Sequence, residues 1–164
     1  MANNKQHTLV ALVQDTPGVL NRIASMFRRR RFNILSLSVG QSETANLSRM
    51  TFVVDGEEST VEQIIKQLDK LIDVISVSDI SEQNVVIREL ALIKVNTESS
   101  NRTEILQLAE TFRSSVVDVS PGSVIIEVTG DDHKVDSLMD ILKPFGVIEV
   151  MRTGRVGLLR GDSF

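Results

Sequence analysis

The residues best suited to recognition chemistry lie between Asp15 and Asn33, in the stretch DTPGVLNRIASMFRRRRFN. Asp15-Thr16-Pro17-Gly18 reads as a turn entering a helix: an Asx or Thr side chain can cap it, Pro17 presets φ, and Gly18 lets another group approach the backbone. Such a turn leaves N–H groups unclaimed. With the positive end of the helix dipole they suit a small anion such as a carboxylate. Asn33, at the far end of the helix, adds an amide donor and an acceptor. No neighbouring side chain could break bonds, so the stretch predicts binding without catalysis.

Hydrophobic and charged residues make up 41% and 24% of the 164-residue chain, ordinary values for a soluble globular protein. The absence of Cys removes disulfides, thiolate nucleophiles and Cys-based metal sites, and fits a reducing compartment. The apolar run near the N-terminus spans only Leu9 to Val13, too short for a signal peptide or a membrane span. A cytoplasmic protein without membrane association is therefore expected. A net charge of −4 disfavours non-specific attraction to nucleic acid.

The elements around the stretch follow from periodicity. His7–Val13 reads as a buried strand, and Val19, Leu20, Ile23, Ala24 and Phe27 define one helix face. Residues 34–40 alternate Leu35, Leu37 and Val39 against Ser36, Ser38 and Gly40, and residues 48–54 alternate again, ending at Asp55-Gly56. Val61, Ile64, Ile65, Leu68, Leu71 and Ile72 trace a second amphipathic helix, and Val74–Ile80 supplies a fourth strand. The order βαββαβ is the ferredoxin-like arrangement, an antiparallel sheet with two helices on one face.

The same order then repeats. Leu90–Val95 is a strand, Ile105, Leu108, Ala109 and Phe112 share a helix face, and residues 116–119 and 124–128 form a hairpin around Ser120-Pro121-Gly122-Ser123. Val135, Leu138, Met139 and Leu142 mark the last helix, and Val147–Met151 the last strand. The predicted fold class is α+β: a domain over residues 1–80, a linker over 81–88, and a second ferredoxin-like domain with a C-terminal tail over 89–164. Units this small bury a low fraction of their surface, so self-association through the edges of the first sheet is expected.

Other chemistries find no support. His7 and His133 are isolated and read as surface residues rather than metal ligands; Asp131 and Asp132 suit helix capping. No metal or cofactor is expected. Ser36/Ser38 and Ser76/Ser78 are polar strand faces without a base to activate them. An RNA-binding RRM shares this topology but needs aromatic side chains on its central strands, where only Phe52 stands. An acylphosphatase-type enzyme would need an arginine in the first turn, where Asp15 stands instead. The run Arg28 to Arg31 reads first as a solvated helix end favoured by the dipole, with contact to an acidic partner surface as the alternative.

The stretches DTPGVLNRIASMFRRRRFNILSLSVG, LSRMTFVVDG, VIRELALIKV and GDDHKVDSLMDILKPFGVIEVMRTGRVGLLRG, in this order, resemble the small regulatory subunit of acetohydroxyacid synthase (acetolactate synthase), from about His7 to Asp162. A lone D-x-P-G-V-L is shared by many amino-acid-binding ACT domains. The resemblance implies an N-terminal ACT domain, a second ferredoxin-like domain, and no catalytic residue or activity of its own. The implied partner is the large catalytic subunit, a thiamine-diphosphate-dependent transferase, which the small subunit activates and submits to feedback inhibition by branched-chain amino acids, most often L-valine.

In such proteins the effector lies between two ACT domains of a homodimer. The resemblance thus implies Asp15, Pro17, Gly18, Val19 and Leu20 on one chain and Asn33 and Ile34 on the other as effector-binding residues. One position departs from the pattern: Arg31 stands where a glycine usually ends the helix in a left-handed conformation. A non-Gly residue there costs roughly 1 kcal/mol, which predicts an altered helix end and a shifted Asn33. The tail from Arg152 to Phe164 is either a disordered end or, on the resemblance, a segment that docks on the large subunit. The runner-up function is a free-standing amino-acid sensor acting on another partner, such as a transcription regulator.

Each charge-assisted hydrogen bond to a bound carboxylate is worth on the order of 1.5 to 3 kcal/mol, and a buried isopropyl group adds about 1.5 to 2 kcal/mol. Asp15 or the Asn33 amide oxygen can accept from the ammonium group.

Overall fold

A computed structural model describes residues 5–161. Strand alternation builds the first sheet. β1 (Gln6–Gln14) and β3 (Leu47–Asp55) pair antiparallel, bringing Leu9 opposite Phe52 and Ala11 opposite Met50. β2 (Ile34–Gln41) and β4 (Val74–Asp79) complete the order β2-β3-β1-β4, with β2 and β4 as edges. α1 (Val19–Arg30) and α2 (Glu58–Leu68) lay Ile23, Phe27, Ile64 and Leu68 over the same face. Phe52, fully buried, stacks on Phe27 with ring centroids 5.7 Å apart.

The second unit repeats the plan. β5 (Val85–Asn96), α3 (Arg102–Thr111), β6 (Ser115–Val119), β7 (Ser123–Gly130), α4 (Asp132–Leu142) and β8 (Val147–Arg152) give the sheet order β6-β7-β5-β8. Its own core gathers Ile93, Val95, Ile105, Ile126, Leu138 and Leu142. The fold is α+β, two ferredoxin-like βαββαβ units in tandem, as the periodicity predicts.

Several positions differ from the sequence-based expectation. Leu20 and Ala24 are exposed and Met26 takes their place in the core, because the buried stripe of α1 runs through Val19, Ile23, Met26 and Phe27. A β-bulge between Ile34 and Ser36 turns Leu35 out and sends Ile34 against the core instead. α2 stops at Leu68, and Ile72 is 87% exposed. Asp73 explains the early stop: its carbonyl accepts from the Gln14 amide at 2.8 Å, so the chain must leave the helix to reach β1.

His7 is buried, not a surface residue. Its Nδ1 lies 2.8 Å from Asp79 Oδ2, and Asp79 accepts in turn from the Ser81 hydroxyl and amide. Burial pushes the Asp79 carboxyl up, but the hydrogen bonds from Ser81 and His7 outweigh it and hold the group below its ordinary value.

The compact units also differ from the expected domain bounds. One comprises residues up to 86 together with those from 155 onwards, the other residues 87–154. Residues 85–88 of the expected linker belong to β5. The expected tail includes a strand, β9 (Val156–Leu159), which pairs with β5, whose Val85 and Val86 lie in the first unit. Arg155 donates to the Thr8 hydroxyl and to Gln6 Oε1, and the Arg160 amide to the Asn84 carbonyl. The rest of that tail, residues 162–164, and the first four residues lie outside the described chain.

The end of α1 keeps its geometry despite Arg31, which adopts φ 57° and ψ 31°. The Arg31 amide donates to the Arg28 carbonyl and the Phe32 amide to the Phe27 carbonyl, both 3.1 Å, and the Phe27 and Phe32 rings meet edge to face at 6.3 Å. This is a Schellman motif with its hydrophobic contact, so the side-chain strain is borne rather than avoided. Arg113 ends α3 in the same way at φ 49°, with Ser114 donating to Ala109. Arg31→Gly is expected to raise the unfolding free energy by about 1 kcal/mol in urea titration. An unchanged or lower midpoint would mean that the arginine makes compensating contacts.

Candidate functional site

The turn before α1 is fixed from both sides. The Asp15 amide donates to the Asn46 carbonyl at 2.8 Å, and the Gln14 amide to the Asp73 carbonyl. Gly18 then takes φ 88° and ψ −5° as the N-cap of α1, and no side chain caps the helix. The first-turn amides therefore lack the partner that an Asp, Ser or Thr cap supplies, and the helix dipole points its positive end at the same place.

The expected site residues divide by position. Asp15, Pro17, Gly18 and Leu20 are exposed around the turn, Leu20 at 50%. The Val19 side chain is buried in the core, so only its main chain can meet a ligand. Asn33 is exposed and Ile34 half-buried at the start of β2. α1 has 12 residues, so it separates the two sets by about 18 Å. One chain does not bring Asn33 to the Gly18 turn.

A neighbour of the turn escaped the sequence reading. Arg22 donates to Asp73 twice, from Nε to Oδ2 at 2.5 Å and from Nη2 to Oδ1 at 2.8 Å. Its Nη1 stands 3.1 Å from where a Cβ on Gly18 would lie. The i, i+4 spacing from Gly18 to Arg22 was a readable signal, whereas Asp73 lies 51 residues away and gave none.

The second unit does not repeat the site. The residue before α3, Asn101, has φ −111°, and its Oδ1 accepts from the Glu98 amide at 2.8 Å. Arg102 then donates to the carbonyls of Ser120 and Pro121 at 2.9 and 2.6 Å, so this helix start is tied to the β6–β7 hairpin. Among the described residues no group of three or more His, Asp or Glu could hold a metal, and no helix is long and apolar enough to cross a membrane.

A family model described as the acetolactate synthase small subunit matches residues 88–161, and one described as an AHAS small subunit-like ACT domain matches residues 9–76. The chain is 52% identical over 158 residues to the probable acetolactate synthase small subunit of Archaeoglobus fulgidus, covering 96% of this chain and 99% of that one. It is 52% identical over 152 residues to the acetolactate synthase small subunit of Bacillus subtilis, with 92% and 88% covered. The crystal structure of the acetolactate synthase small subunit from Thermotoga maritima superposes with a TM-score of 0.88 at 42% identity, covering 97% and 99%. With an ACT domain as its first unit, the chain belongs to the family of acetolactate synthase small subunits.

Proposed function

We propose that this chain is a non-catalytic cytoplasmic regulatory subunit that activates the large catalytic subunit of acetolactate synthase and confers feedback inhibition by a branched-chain amino acid, L-valine first. The observation that carries the reading is the uncapped, left-handed Gly18 at the start of α1, with Asn33 a full helix length away. A ligand as small as valine reaches both only where two copies meet. The edge strand β2, with Leu35 at 43% and Val39 at 53% exposure, is the surface on which a second copy adds. Asp15, Pro17, Gly18, Val19 and Leu20 of one chain then face Asn33 and Ile34 of the other.

Regulation follows if the effector favours one packing of the two copies over another, since a ligand shifts an equilibrium only by its difference in affinity for the two states. Valine, leucine and isoleucine differ by a methylene or its placement, worth about 1 to 3 kcal/mol depending on pocket shape. The test mixes the purified chain with a catalytic large subunit and follows acetolactate formation. Activity is expected to rise on mixing and to fall again with added L-valine. No change in rate on mixing sinks the proposal in favour of a sensor with another partner.

A further inference from the structure

Arg22 carries more than an ion pair. Nε and Nη2 are both spent on Asp73, while Nη1 is not engaged by it and stands over Gly18. The Asp73 side chain is only 8% exposed, and its main chain is fastened to Gln14, so the clamp is rigid. The Arg22 side chain remains 46% exposed, which leaves its guanidinium reachable from outside.

We infer that Arg22 is a ligand-contacting residue of the site at Gly18, its Nη1 meeting the carboxylate of the bound amino acid; the inference rests on the reading of that turn as the effector site. Helix amides alone donate to any small hydrogen-bond acceptor. A guanidinium beside them makes recognition two-point and charge-assisted, which selects a carboxylate over a neutral amide. Because Asp73 already fixes the planar fork, little side-chain freedom remains to be lost on binding. The Arg22–Asp73 pair has no net charge, so it does not repel the ammonium group of the same ligand.

The test compares L-valine with L-valinamide, which lacks the anionic group, on the full chain in the presence of the catalytic subunit. Arg22→Gln is expected to weaken valine binding about 10- to 100-fold, the loss of one charge-assisted bond, and to leave valinamide binding where it was. Equal weakening of both ligands would assign Arg22 a merely structural role and overturn the inference, as would unchanged valine binding. If Arg22→Gln does not fold, Arg22→Lys serves: it keeps the charge beside Asp73 but lacks the fork that holds Asp73 and a ligand at once, so the preference for valine over valinamide is expected to narrow, and an unchanged preference overturns the inference. Failure of the unsubstituted protein to bind valine, leucine or isoleucine is a different result, because it removes the effector site itself.

Discussion

Gly18→Asp is expected to abolish effector binding, reducing affinity more than 100-fold, the equivalent of roughly 3 kcal/mol or more. Three separate penalties converge on this position. Gly18 holds φ 88°, a region that costs an L-residue about 1 to 2 kcal/mol. Its new Cβ would lie 3.1 Å from Arg22 Nη1, a tight contact that the guanidinium must relieve by a few tenths of an ångström. Its carboxylate would occupy the anion site and repel a ligand carboxylate by about 4 kcal/mol at 4 Å in a partly solvated setting. Strain acts on folding as well as on binding, so Gly18→Ala is the control: it carries the backbone strain and the contact but not the charge. Isothermal calorimetry with L-valine measures both variants, since the chain contains neither Trp nor Tyr. Full affinity in Gly18→Asp would remove the Asp15–Asn33 stretch from consideration as the effector site.

How far the sequence alone reaches is shown by this same stretch. Pro17 and Gly18 announced a turn and Ile23 and Phe27 a buried stripe, because local sterics and helical period act within a few residues. Both sheets were readable for the same reason: Met50, Phe52 and Val54 alternate regardless of what covers them. Tertiary demands were not readable. Leu35 continues the alternation of its strand, yet the bulge that turns it out is set by pairing with Val53 and Val54 of β3. Arg31 lacks the conformational freedom of glycine, yet the Phe27–Phe32 contact and two amide bonds hold it left-handed. His7 looked solitary because its partner, Asp79, is 72 residues distant. Arg22 is legible as a neighbour of Gly18, but its clamp is not, and the clamp is what turns a flexible surface arginine into a fixed one.

Long-range pairing of this kind also decides the stability of the second unit. The Glu89 side chain is 4% exposed, and Arg152 closes on it from Nε at 2.5 Å and Nη2 at 2.9 Å, while its Nη1 donates to Asp136 at 2.7 Å. Hydrogen bonding to Glu89 raises the guanidinium pKa well above its ordinary value, against the opposing effect of burial. Arg152→Met strands the carboxylate in the interior and is expected to cost about 3 to 5 kcal/mol. A small unit has a net stability of only about 5 to 15 kcal/mol, and usually the lower part of that range, so the loss should appear as a large fall in the urea midpoint. Adding Glu89→Leu tests the cause. If the cost lies in the unpaired charge, the double variant recovers most of the stability, because replacing both partners of a buried pair by apolar groups is close to neutral. If the double variant is as unstable as Arg152→Met, the arginine acts through its contact with Asp136 or its packing on β8, and the buried pair is not what holds the unit together.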